Sequence, residues 1–89
     1  MDYVIDLKKI EDLEELHGML SDLFEFPKYY GKNLDGFYDV MSSRNDEMYI
    51  IVKNSEKEDE KLNSYVSRLK GVLKDLEHEC ENVIVTFES

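Results

Sequence analysis

Apolar and polar residues alternate at the start of the chain. In Tyr3-Val4-Ile5-Asp6-Leu7, the residues Tyr3, Ile5 and Leu7 share one face of an extended segment, which predicts a first strand leaving at Lys8-Lys9. The period then becomes helical. Leu13, Leu16, Leu20, Leu23 and Phe24 form a stripe that Met19 widens, and Asp12 with Glu15 three residues on has the form of a capping box. His17 lies beside this stripe and reads as a packing or surface residue, because no neighbour completes a catalytic set. Pro27 fixes its own φ and pushes Phe26 toward an extended conformation, so the first helix should stop near here, with a trans Phe26–Pro27 bond.

The stretch from Phe26 to Met41 carries the most information. Gly31 is suited to turning the chain with positive φ, and Asn33 is a good N-cap for a second helix whose first turn carries Asp35. Leu34, Phe37, Tyr38 and Met41 would seat that helix on a core. Asp35 and Asp39, four apart, stack on a neighbouring face with Ser42 below. Such a pair beside a tyrosine-bearing loop suits a cationic partner; on spacing alone the commoner reading is a solvated helix face with core tyrosines.

Beyond a polar exit at Ser43-Arg44-Asn45-Asp46, the unbroken apolar run Met48-Tyr49-Ile50-Ile51-Val52 predicts a strand covered on both faces. Ser55 and Glu58 offer a second capping box, and the charged run from Glu56 to Lys61 reads as a short solvated helix or connector. Leu62, Tyr65, Val66, Leu69, Val72, Leu73 and Leu76 then mark a long amphipathic helix, with a break expected near Asn63-Ser64. Glu81-Asn82 is a turn, and Val83 to Phe87 is the last strand. The order β-αα-β-αα-β implies an α/β fold: a three-stranded parallel sheet with about four helices and right-handed connections. Residues 1–89 form one domain with no repeat and no linker.

Charge narrows the function. Acidic residues number 21 against 11 basic, a net charge of −10. Nucleic-acid phosphates would be repelled, whereas a basic protein would be attracted quickly and with strong salt dependence. Solubility alone also explains such a charge. The single cysteine, Cys80, fits a reducing cytosol. No apolar run approaches a membrane span, and the N-terminus lacks the pattern of a secretory signal.

Catalytic constellations are missing. No phosphate-binding glycine loop and no paired-cysteine motif is present, so no cofactor is expected. His78 and Cys80 lack identifiable partners for a metal site. Asp35 and Asp39 could be read as a hydrolase pair, but adjacent helix turns display such carboxylates outward rather than in a cleft.

The string Pro27-Lys28-Tyr29-Tyr30-Gly31-Lys32-Asn33-Leu34-Asp35-Gly36-Phe37-Tyr38-Asp39 closely resembles the signature of the barstar family, intracellular inhibitors of barnase-type secreted ribonucleases. The resemblance runs from the first strand to the last, and agrees with the parallel-sheet fold. It implies that Asp39 mimics an RNA phosphate, that Asp35 makes a second arginine contact, and that Tyr29 lies against the enzyme's active-site histidine. Tyr38 stands where the family often carries tryptophan. The resemblance further implies that Gly31, Asn33 and Leu34 shape the binding loop and touch the enzyme through backbone or side chains, with Asn33 and Leu34 among the partner-binding residues. It also implies that Asp75, aligned with a family glutamate, adds a further acidic contact.

Departures from the family pattern bear on the target. Gly36 replaces alanine and should loosen the helix by up to ~1 kcal/mol. Ser43-Arg44 replaces a glycine–tryptophan pair, and Arg44 brings positive charge toward a basic enzyme, which favours a cognate ribonuclease other than barnase. Glu47-Met48 replaces tyrosine–proline. The resulting expectation is a cytoplasmic, non-enzymatic ribonuclease inhibitor, monomeric when free. The alternative is a barstar-like acidic module for another basic toxin or for a nucleic-acid-binding protein.

Overall fold

The strands bury one side and leave the other in water. In a computed structural model that describes residues 1–88, β1 (Asp2–Asp6), β2 (Met48–Lys53) and β3 (Val83–Phe87) form a parallel sheet in the order β1-β2-β3. The register aligns Tyr3 with Ile50 and Val85, and Ile5 with Val52 and Phe87, so these side chains form rows on the covered face. Three helices complete the described residues: α1 (Leu13–Phe24), α2 (Leu34–Ser42) and α3 (Glu60–Glu79). The layer they form is sealed by Leu16, Leu20, Phe24, Phe37, Met41, Val66, Leu69, Leu73 and Leu76, all nearly inaccessible. Each such side chain contributes about 1.5–3 kcal/mol by leaving water.

The expectation that β2 is covered on both faces is corrected. Met48, Ile50 and Val52 are buried, but Tyr49 is half exposed and Ile51 partly so. The cause is topological. Both crossovers step across the sheet in the same direction, and right-handed connections then place all the helices on one side.

The expected fourth helix is also absent: the connection from β2 to β3 holds one helix, Glu60–Glu79, unbroken at Asn63-Ser64. Side chains explain why residues 54–59 stay irregular. Asn54 takes a left-handed φ of 55° and donates to Asp6 at 2.8 Å. Lys57 sends its Nζ to the Leu7 carbonyl at 2.6 Å, while its backbone N–H donates to the Asn63 side chain at 2.9 Å. Ser55 is buried and meets Lys70 Nζ at 3.3 Å instead of capping a helix. The N-cap is Asp59, which accepts from the Leu62 N–H at 2.9 Å.

Helix α1 starts as its capping box predicts, with the Glu15 N–H donating to Asp12 Oδ1 at 2.8 Å. It stops before Pro27 through Glu25, which adopts a left-handed conformation that lets the Phe26 N–H reach the Ser21 carbonyl at 2.9 Å. The Phe26–Pro27 bond is trans.

His17 is a core residue, 2% exposed. Its Nδ1 lies 2.6 Å from the Tyr30 hydroxyl and its Nε2 2.7 Å from the Tyr65 hydroxyl. A neutral imidazole has one donor and one acceptor, so one hydroxyl donates to it and the other accepts from it. Burial lowers the His17 pKa, and the nearby Lys32 charge lowers it further.

Two predictions follow from this packing. The depressed His17 pKa means that the unfolded chain binds the proton more readily. The stabilisation from His17 is therefore complete above its unfolded pKa of about 6.5 and is lost as pH falls through the lower folded value. In urea titrations across this range, the stability gap between wild type and His17→Gln should narrow on acidification; a constant gap would refute this. Gly71 sits on the exposed face of α3 with nothing within 4 Å of an added Cβ. Gly71→Ala should therefore stabilise the fold by about 1 kcal/mol, read from the same titrations at neutral pH.

Candidate protein-binding site

Helix α2 is nine residues long and depends on its ends and its anchors. Asn33, extended at φ −141°, accepts the Gly36 N–H at 2.6 Å and donates to the Gly31 carbonyl at 3.2 Å, so one side chain both caps the helix and ties it to the preceding loop. The left-handed residue of that loop is Lys32, at φ 53°, not Gly31 as the sequence suggested. The Asn33 side chain fills the space beside Gly31, where an added Cβ would lie 3.1 Å from Nδ2. Gly36 also has a steric role. A Cβ there would meet Asn33 Oδ1 at 3.2 Å and the Tyr30 ring at 3.6 Å, so its small size lets loop and helix approach closely.

Leu34, Phe37 and Met41 are buried under the helix. Asp35 and Asp39 are both exposed on its outer side. Tyr29 is 85% exposed, while its neighbour Tyr30 turns inward to His17. The two adjacent tyrosines thus divide the work: one anchors the loop, the other is presented to solvent. Leu34, expected among the partner-binding residues, is 7% exposed, so its side chain anchors the helix.

Tyr38 lies half-buried where α2 packs on α3. Its pKa is raised first by desolvation and then by nearby negative charge, in the order Glu79, Cys80, Asp75 and Asp39. The charges of Asp39 and Asp75, far apart in sequence, therefore act on the same tyrosine. Glu79, one helical turn from Asp75, joins them; it was not singled out in the sequence, although its i,i+4 spacing from Asp75 is a signal. Asp35 stands toward the other end, where its charge adds to the desolvation that raises the Tyr65 pKa.

A groove runs beside Asp39. Phe24, Phe26, Pro27 and Val40 supply apolar lining, with Tyr29, Glu25 and Ser43 at its margin and Arg44 facing it. The Arg44 guanidinium is not a free charge aimed at solvent. It donates from Nε and Nη2 to Asp46 at 2.9 and 2.8 Å, from Nη1 to the Phe24 carbonyl at 2.8 Å, and from Nη2 to the Tyr3 hydroxyl at 3.1 Å. These bonds hold the Asp46 carboxyl below its usual range and raise the Arg44 pKa. Among the described residues, no group of three metal-ligating side chains comes together, and no helix is long and apolar enough to cross a membrane.

The surface combines exposed carboxylates on a capped helix, an exposed aromatic ring and a groove beside them with both apolar and charged lining. A family model described as Barstar (barnase inhibitor) matches residues 1–88. A curated relative, "Putative ribonuclease inhibitor YrdF" of Bacillus subtilis (strain 168), is 32% identical over 80 residues, spanning 89% of this chain and 88% of that protein. With a match running from before β1 to beyond β3, and this helix and loop inside it, the chain belongs to the barstar family.

Proposed function

We propose that this protein inhibits a basic, barnase-type microbial ribonuclease by placing α2 and the loop before it over the enzyme's active site. The observation that carries the reading is the presentation of Asp35 and Asp39 on a short helix whose opposite side is locked in the core, beside a tyrosine that is 85% exposed. Family membership and the relative's name as a ribonuclease inhibitor support it.

The proposed mechanism is stoichiometric. A ribonuclease gathers cations to hold RNA phosphates, and a carboxylate held rigidly can take a phosphate position and accept several charge-assisted hydrogen bonds. Asp39 takes that position, and Asp35 engages a second cation. Tyr29 covers the active-site histidine with apolar area. Tyr38 contributes packing area between Asp39 and Asp75, and Asp75 makes a further acidic contact. Asn33 and Leu34 act from behind, by holding the helix start in place. Because the charged groups are positioned before binding, little ordering entropy is lost on association. The inhibitor acts as a monomer inside the producing cell, where it protects the cell from its own ribonuclease.

Titration against basic barnase-type ribonucleases should show loss of activity at one-to-one stoichiometry; full activity of every enzyme in the panel would refute the reading. Asp39→Ala should weaken inhibition most among the single acidic truncations, with the thermal midpoint little changed. A charged partner truncated in a desolvated interface costs about 2–5 kcal/mol, a scale taken over from the barnase–barstar pair itself. Asp35→Ala should rank behind it, Asp75→Ala further behind, and Glu58→Ala, in the charged connector, serves as the control. Wild-type inhibition by Asp39→Ala would exclude phosphate mimicry.

Salt should act on the association rate. A net charge of −10 steers a basic enzyme at long range, and ionic strength screens that field. Stopped-flow mixing should show slower association at higher salt; equal rates at low and high salt would remove steering from the account.

A further inference from the structure

We infer that Arg44 is a specificity-determining residue: it selects, among basic ribonucleases, those that set a hydrogen-bond acceptor rather than a second cation against the far wall of the groove beside Asp39. The inference rests on the inhibitory reading of this surface and adds to it which enzymes the surface takes.

Besides the Glu25 carboxylate, two opposite charges line this groove, Asp39 on α2 and Arg44 just beyond the helix end, together with the apolar Phe24, Phe26 and Val40. A segment inserted there meets both. Asp39 attracts a cation of the enzyme. Arg44 cannot retreat to make room for another, because its guanidinium is bonded to Asp46, the Phe24 carbonyl and the Tyr3 hydroxyl, and it lies over the Tyr3 and Phe24 rings at 5.8 and 5.9 Å. Of its five N–H hydrogens, four have partners in these bonds and one on Nη1 does not. The side chain is 24% exposed, so this fixed donor remains reachable. A carbonyl or carboxylate of the enzyme can use it; a lysine or arginine at the same place meets like charge.

Asp46 sets how strongly Arg44 repels. Its carboxylate forms the fork pair and offsets much of the guanidinium charge. Discrimination between partners commonly combines an attractive contact with a repulsive one, and here Asp39 supplies the first and Arg44 the second.

The test measures inhibition constants of wild type, Arg44→Met, Asp46→Asn and Asp39→Ala against barnase and several other basic barnase-type ribonucleases, with a thermal midpoint for each variant. Arg44→Met removes the charge, so the ratio between the best- and worst-inhibited enzymes should shrink by about tenfold. Asp46→Asn keeps one of the two hydrogen bonds from Arg44 and removes the neutralising charge, so the ratio should widen. A purely structural Arg44 would lower the midpoint in both variants and weaken all enzymes alike, which would overturn the inference. Should Arg44→Met fail to fold, Asp46→Asn decides alone by whether the ratio widens. Loss of inhibition in Asp39→Ala with unmoved ratios would refute the selecting role and leave the inhibitory reading standing. A wild-type protein that inhibits no enzyme would bring down both.

Discussion

One imidazole joins three parts of this protein. His17 comes from the middle of α1, Tyr30 from the loop before α2, and Tyr65 from the second turn of α3, and the two hydroxyls close on its two ring nitrogens. Each ring nitrogen is paired with one of the two hydroxyls, so the buried imidazole is fully satisfied only if both tyrosines are in place. The loop carrying Tyr29 is therefore anchored by the residue next to it. Without that anchor, the exposed ring would sit on a segment of several backbone bonds with little to hold it. The Phe26 ring, packed 4.7 Å from Tyr30 and 5.8 Å from Phe37, continues the same fixation toward α2.

The short second helix extends this logic. Nine residues are too few to hold a helix by backbone bonds alone, so the Asn33 cap and the buried Leu34, Phe37 and Met41 supply what length does not. The same three anchors fix its rotation about its own axis. That rotation puts Asp35 and Asp39 in water and brings Tyr38 against α3, where Asp75 and Glu79 lie. Packing on one side of α2 thus decides the electrostatics on the other.

Much of this was legible in the sequence, for reasons particular residues make clear. Alternation in Tyr3 to Leu7 and the stripe from Leu62 to Leu76 report burial directly, so the strands and the long helix were found. Asp12 and Asn33 declared helix starts because a capping side chain acts within three residues. Long-range ties could not be read in this way. Ser55-x-x-Glu58 has the form of a capping box, yet Lys57 reaches back to Leu7 and Asp59 takes over the cap. Gly31 seemed the natural left-handed residue, but Lys32 takes that conformation while the Asn33 side chain closes on Gly31. Arg44 read as positive charge brought toward a partner; its pairing with the nearby Asp46 is local, but the bonds to Phe24 and Tyr3 that fix it are distant in sequence. At the candidate site, Asp35 and Asp39 were visible as a pair, but the meeting of Glu79 and Asp75 with Tyr38 needed the packing of α2 on α3.

The uncovered face of the sheet has a consequence of its own. Parallel sheets are ordinarily shielded on both sides, but here Val4, Tyr49 and Ile84 stand about half exposed, with Ile51 among them. A flat apolar surface between two open strand edges invites copies of the chain to stack. Mutual repulsion between molecules carrying ten excess negative charges opposes that stacking. The acidity that would draw in a basic enzyme thus also works against self-association, and near the sequence isoelectric point of about 4.5 that repulsion disappears while the apolar face remains.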